Sequence, residues 1–364
     1  MQDDVKLLGE NELALINALQ LRPRGSWTEL GRALGADPVT VARRWSRLTG
    51  RGEAWVTFSP GPRLFDQVCV AFTEIDCAPG EAAPVVRALS AHPHMITIER
   101  SAGAYDLLAT VATRDLAAMS RYTLDVLPTV AGLRAVRARI VTHMFTEGGR
   151  WRITALAPAQ RAQLTAPPAA PANGGGASAI TPLDRALLAS LSRDGRAFPQ
   201  RLATGLAVSS ATVKRRLDQL TRLGLLRFRC DFARPLGGWP VAATFWATVP
   251  PGDLPGIGQA LVQLPETRNC AAISGAHNLV LQVSLHSVTD VLRFESQLAA
   301  AHPGLHIAER VITLRHEKLL GHILDPDGRS VDVIPPDIWS DPATSPDTRS
   351  AREADTDRPP AEAG

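Results

Sequence analysis

The chain is poor in the features that mark several functional classes. Its four cysteines, Cys69, Cys77, Cys230 and Cys270, are spread over 364 residues. None belongs to a CxxC pair or to a His/Cys cluster with zinc spacing, so neither a disulfide framework nor a structural zinc site is indicated. Cys69 and Cys270 sit in apolar runs and read as core thiols. No run approaches the ~20 apolar residues of a membrane helix, and no N-terminal segment reads as a signal peptide. Ser/His/Asp sets, metal clusters and phosphate-binding glycine loops are missing as well. The net charge is only +3, which permits a nucleic-acid partner without demanding one. With 45% hydrophobic and 21% charged residues, the expectation is a reduced, cytoplasmic, multidomain protein without cofactor, metal or catalytic residues.

What is present is one basic amphipathic stretch, twice. Thr40–Leu48 reads Thr-Val-Ala-Arg-Arg-Trp-Ser-Arg-Leu, and Thr212–Leu220 reads Thr-Val-Lys-Arg-Arg-Leu-Asp-Gln-Leu. Val41, Trp45 and Leu48, and likewise Val213, Leu217 and Leu220, recur at i, i+4 and i+7, one stripe of a 3.6-residue helix. Arg43 and Arg47 fall opposite the stripe, with Thr40 and Arg44 on its flank. Thr212, Arg215, Gln219 and Arg222 do the same in the second copy. One face can pack while the other offers cations and hydroxyls to an anion.

The flanks define a unit. Glu10–Leu21 is helical by spacing, and Ser26 with Glu29 forms a capping-box pattern for a short helix to Leu34. Asp37 and Pro38 start the basic helix, Gly50 and Gly52 end it, and Ala54–Phe58 is a strand. Residues 8–62 therefore read as a winged helix-turn-helix. Residues 66–146 then alternate strand, helix, strand, strand, helix, strand, a ferredoxin-like βαββαβ order with both helices on one face. The uncovered face calls for a second sheet. Trp151–Leu164 is another amphipathic segment, and 165–179 is a Pro/Ala/Gly-rich flexible linker.

The programme then repeats at an offset of 172. Residues 180–232 restate the winged helix-turn-helix, with Ser209 as the cap, and 239–318 restate βαββαβ. Gly103 falls on Gly275, Pro93 on Pro265 and Gly132 on Gly304. The fold class is α+β, two winged helix-turn-helix domains alternating with two ferredoxin-like domains. Residues 325–364, with little to bury beyond Val331, Val333, Ile334 and Trp339, read as a disordered tail.

This arrangement resembles the Lrp/AsnC family of bacterial regulators. The basic helix ahead of Gly52, its echo ahead of Gly224, and the Gly103-Ala104-Tyr105-Asp106 loop carry the likeness. The resemblance implies a transcription regulator that binds double-stranded DNA and answers to an amino acid or related metabolite. Its sheet domains would form a covalent pseudo-dimer, face to face, or a further oligomer. The DNA-binding residues would be Thr40, Arg43, Arg44, Arg47 and Arg51 in one copy. Thr212, Lys214, Arg215, Arg216, Gln219 and Arg222 would serve in the other, with Ser46, Arg227 and Arg229 nearby. The ligand-binding residues would be Gly103, Tyr105 and Asp106, with Gly275, His277 and Asn278 in the second loop, where Asn replaces Asp. A turn needing φ > 0 at Gly103 and Gly275 would account for these loops equally well. The rival is an enzyme: siroheme decarboxylases are similar in architecture, and His277 with Arg268 or Arg100 is the feature that points there.

Overall fold

The computed structural model describes residues 7–165 and 180–344. The first half runs α1 (Glu10–Leu21), α2 (Trp27–Leu34), α3 (Pro38–Gly50), β1 (Ala54–Pro60), α4 (Pro62–Phe65) and β2 (Cys69–Cys77). It continues with α5 (Ala82–Ala91), β3 (Met95–Ala102), β4 (Leu107–Thr113), α6 (Leu116–Arg121), β5 (Leu133–Thr146) and α7 (Pro158–Leu164). The second half repeats the order as α8 (Pro182–Arg193), α9 (Pro199–Leu206), α10 (Ser210–Arg222), β6 (Leu226–Phe232) and β7 (Val241–Thr248). Then come α11 (Leu254–Leu261), β8 (Thr267–Ile273), β9 (Leu279–Leu285), α12 (Thr289–Ala301), β10 (His306–Leu319), β11 (His322–Leu324) and β12 (Ser330–Val333).

The basic helices start where their caps dictate. The Asp37 carboxylate accepts from the Val39 and Thr40 amides at 2.9 and 3.4 Å, and Ser209 Oγ accepts from Thr212 N at 3.1 Å. Ser26 caps α2 through Glu29 N, but the Glu29 carboxylate turns to Arg22 at 3.4 Å, so the capping box is only half built.

Each sheet has the ferredoxin-like order, β3-β4-β2-β5 in one half and β8-β9-β7-β10 in the other. Alternation along the strands sorts the side chains. Leu107, Ala109 and Val111 of β4 pack under α5 and α6, while Leu108 points inward. Inner-face residues of both sheets, among them Phe72, Tyr105, Leu108, Trp246, Val280 and Val311, form one cluster between them. The sheets thus lie face to face. They are also joined at their edges. Leu133–Ile140 of β5 pairs with β2 and Val141–Thr146 with β8; His306–Thr313 of β10 pairs with β7 and Ile312–Leu319 with β3. The pairings close a ring of eight strands, a barrel-like double sheet.

One pairing is new and one expectation, the disordered tail, needs correction. The wing strands β1 and β6 pair antiparallel with each other, from Ala54↔Phe232 to Pro60↔Leu226. Cys230 and Phe232 are buried in the core of the first helix-turn-helix, and Phe58 in that of the second. The tail is also ordered as far as Thr344. β12 pairs with β11, Ser330 N donates to Gly52 O, His322 stacks on Trp55 at 4.9 Å, and Ile338 and Trp339 pack on the underside of the double sheet. A few apolar side chains suffice because each lands in a preformed cleft. The linker from 166 to 179 and residues 345–364 lie outside the described residues.

Candidate DNA-binding helices and ligand cavity

On α3 the stripe Val41, Trp45 and Leu48 is buried, Arg43, Ser46 and Arg47 are exposed, and Thr40 and Arg44 are half-buried. On α10 Val213, Leu217 and Leu220 are buried while Lys214, Arg215 and Arg222 are exposed. Arg43, Arg44, Arg47, Lys214 and Arg215 make no ion pair with any described residue and are left to solvent. Arg222 donates only to Asp218 O, at 3.3 Å.

Other expected contacts are already occupied. Arg216 lies against Asp184, a fully buried carboxylate at the start of α8, with Nε at 2.9 Å and Nη2 at 2.5 Å. Its Nη1 donates to Gln219 Oε1 at 2.9 Å, so both residues hold α10 to α8 rather than facing outward. Thr212 Oγ1 is paired with Ser209 Oγ at 2.9 Å. Arg51 pairs with Glu53 at 2.7 Å and Glu12 at 3.7 Å. Arg227 is exposed, but Arg229 is buried and bridges Asp231 at 2.6 Å and Glu147 at 3.3 Å. Arg229 therefore belongs to the interior, not to a phosphate contact.

The two turn loops act structurally. Asp106 Oδ2 accepts from Cys77 N at 2.7 Å, and Asn278 exchanges two hydrogen bonds with the Val249 backbone at 2.9 and 2.7 Å. Asn thus does for its loop what Asp does for the other. Tyr105 is buried, and its hydroxyl accepts from Trp246 Nε1 at 3.1 Å. Gly275 has φ +113°, whereas Gly103 does not take a positive φ. Gly103 is instead needed for close approach, since a Cβ there would stand 3.2 Å from both methyl groups of Val311. Arg139 links the loops: its guanidinium stacks over Trp246 at 4.6 Å and lies near Gly275. Arg268 lies at the start of β8 and His277 beyond its other end, and Arg100 pairs with Glu317 at 3.6 Å. The three are not brought together.

Sequence reasoning missed a cavity that opens between the two sheets on the side of the helix-turn-helix units. One wall is apolar, with Val70, Ile96, Leu319, Ile338 and Trp339. Another part of the lining is polar, with Arg229, Arg234, Arg268, Glu99 and Gln282 buried and His316 half-buried. Burial raises Asp231, but Arg229 and Arg268 outweigh it and hold its carboxyl at about 2. Arg268 Nη2 lies 3.6 Å from Asp231, and its guanidinium stacks on Trp151 at 4.6 Å. Glu99 accepts from His316 Nε2 at 3.0 Å and from Gln282 Nε2 at 3.0 Å. Burial lowers His316 despite Glu99 beside it, so the imidazole is neutral against an ionised carboxylate. These residues are scattered through the sequence, on β3, β6, β8, β9 and β10 and, for Arg234, in the turn after β6, and nothing short of the folded register assembles them. Among the described residues no group of His, Cys, Asp and Glu could hold a metal ion, and no helix is long and apolar enough to cross a membrane.

Comparison with known proteins gives the kinship. A family model described as the Lrp/AsnC ligand binding domain matches residues 70–151, and one described as winged helix-turn-helix DNA-binding matches residues 180–227. An uncharacterised HTH-type transcriptional regulator of Pyrococcus abyssi is 27% identical over 131 residues, 36% of this chain and 83% of its own. The HTH-type transcriptional regulator Ptr1 of Methanocaldococcus jannaschii is 21% identical over 148 residues, 40% of this chain and 100% of its own. The siroheme decarboxylase NirDL shares the fold over 94% of this chain and 99% of its own, with a TM-score of 0.56 at 11% identity. The relatives align over little more than a third of the chain because they match one unit of a duplication. The matches give the chain an Lrp/AsnC ligand binding domain and a winged helix-turn-helix, and the repeated order of elements in the structure presents both kinds of unit twice in one polypeptide.

Proposed function

We propose that the chain is a sequence-specific DNA-binding transcription regulator in which one polypeptide supplies both reading heads. The observation that carries this reading is the pair of unpaired cationic faces, Arg43, Arg44 and Arg47 on α3 with Lys214 and Arg215 on α10. Burying the opposite stripe of each helix leaves these cations free to divide between phosphates and base edges. The HTH-type regulators among its relatives support the reading. The heads are not identical: Trp45 stands against Leu217, and Arg47 against Gln219, which Arg216 holds inward. An asymmetric operator follows. The sheet domains supply the response to a small metabolite.

The test is binding of the purified chain to its own upstream DNA at low and moderate salt, with the absorption spectrum recorded on the same sample. Salt-sensitive, sequence-preferring binding by a colourless protein supports the regulator. Absence of binding at low salt together with uptake of a tetrapyrrole would sink it in favour of the decarboxylase-like enzyme.

A further inference from the structure

Arg234 is the one guanidinium of the buried polar wall that holds no partner. It is 7% exposed, and it makes no hydrogen bond or ion pair with any described residue. Its neighbours are spoken for: Asp231 by Arg229 and Arg268, Glu147 by Arg229, and Glu99 by His316 and Gln282. Glu99, His316, Asp231, Arg229 and Arg268 all feel its charge, which places the guanidinium at the polar end of the cavity it lines. Asp231 and Glu99 lie close enough to offset part of its charge, but a buried guanidinium with no direct hydrogen-bond partner is costly, and a bound anion would relieve that cost. An eight-stranded closed sheet has room for one small ligand among its inner side chains. Here that interior is amphipathic, one end cationic and amide-lined, the rest aliphatic and aromatic.

We propose that the cavity between the two sheets, rather than the Gly103 and Gly275 loops, is the effector site, and that it takes a monocarboxylate with an apolar body. The carboxylate sits on Arg234 with Arg268 beside it, and the body lies among Val70, Ile96, Ile338 and Trp339. A carboxylate matches the planar guanidinium fork, and the apolar wall excludes a small, fully hydrated anion. The inference rests on the regulator reading, because that reading calls for an effector. The site is also placed to report on DNA binding. Arg229, Asp231 and Arg234 belong to β6 and the turn after it, and Cys230 and Phe232 on the same strand pack in the first helix-turn-helix. Trp339 at the cavity mouth lies under Arg185 of α8 in the second, at 6.0 Å. A ligand in the cavity touches the supports of both heads.

The experiment uses the full chain without DNA. Octanoate, octanol, acetate and phosphate are titrated separately, read by tryptophan fluorescence and thermal shift. Octanoate is expected to bind and to raise the melting temperature, with octanol at least tenfold weaker and acetate and phosphate ineffective at equal concentration. R234M is expected to weaken octanoate roughly 10- to 100-fold, with R234K intermediate, and to bring it level with octanol. Octanol binding as well as octanoate to the wild-type chain, or phosphate competing equally, overturns the proposal without recourse to any variant. So does R234M retaining full octanoate affinity. Because no DNA is present, failure here leaves the DNA-binding reading untouched. Failure of that reading equally leaves octanoate binding to be observed.

Discussion

Arg24 and Arg196 stand 172 positions apart and hold each other's loops. Arg24 donates from Nη1 to Gly195 O and from Nη2 to Ala197 O at 2.9 Å; Arg196 donates to Pro23 O at 2.6 Å and Gly25 O at 2.8 Å. Every member of the first set lies 172 residues from its counterpart in the second. Arg196 also stacks on Trp27 at 4.0 Å, and burial brings its guanidinium down to about 10. The clasp fixes one helix-turn-helix unit against the other and therefore the spacing of α3 and α10. Each charge-assisted arm contributes about 1.5–3 kcal/mol. The double variant R24M/R196M should accept operators whose half-sites are moved by a few base pairs, whereas the wild-type chain should not. Fluorescence anisotropy over a spacing series decides; identical spacing profiles would refute the clasp's role.

Arginines that look alike on the basic helices should behave differently. R43A and R47A are expected to weaken DNA binding and to lower the salt dependence by about one unit per lost phosphate contact, with little change in melting temperature. R216A strips a buried carboxylate, Asp184, of its partner and should cost about 3–5 kcal/mol in urea unfolding. A stable R216A with reduced salt dependence would return Arg216 to the DNA-facing set.

The buried wall of the cavity rests on Asp231, which serves two guanidiniums. D231N leaves Arg268 without its carboxylate and Arg229 with Glu147 alone, and is expected to destabilise the fold by roughly 3–5 kcal/mol. Denaturant midpoints measure this, and a loss below about 1 kcal/mol would mean the guanidiniums find other support.

Stability should bend with pH at two places. Burial holds His94, His316 and His322 below the ordinary imidazole value, His322 at about 4. Below about pH 6.5 the unfolded chain takes up protons that the fold refuses, so stability falls as pH drops through that window toward 4. The melting temperature at pH 5.5 should lie several degrees under that at pH 7.5, and H322Q should lessen the gap. Equal values would dismiss the buried imidazoles as its cause.

Lys318 gives the second bend. Fully buried, with Nζ donating to Ser90 O at 2.8 Å and His92 O at 2.9 Å, it is brought by burial to about 7, against about 10.4 in the unfolded chain. Between those values the unfolded chain binds the extra proton, so stability rises with pH. K318M should flatten the rise from pH 7 to 9.5, and an unchanged slope would assign it elsewhere.

The order of elements, their bounds to within a few residues, and the duplication were all legible, because caps and hydrophobic period are local signals. Pairings between distant strands were not. Nothing in Ala54–Phe58 announces that its partner is Leu226–Phe232, since a strand carries its own alternation but not its neighbour's address. Arg216 reads like Arg44 until the fold brings Asp184 beside it; in the first half the counterpart Glu12 pairs with Arg51 instead. Arg234 lies in an unremarkable turn after a strand, and its isolation is visible only against the pairs around it. The tail failed for a related reason: composition measures what a segment can bury alone, not what a groove elsewhere will accept.

The closed ring of strands has a further meaning for how the molecule counts itself. In each sheet both edge strands are taken, β3 by β10 and β8 by β5, within a single chain. Each sheet's partner is here supplied at synthesis, at a concentration set by chain connectivity rather than by abundance. Assembly of the double sheet is therefore first-order, and dilution cannot part its halves. Each newly made chain already carries both heads.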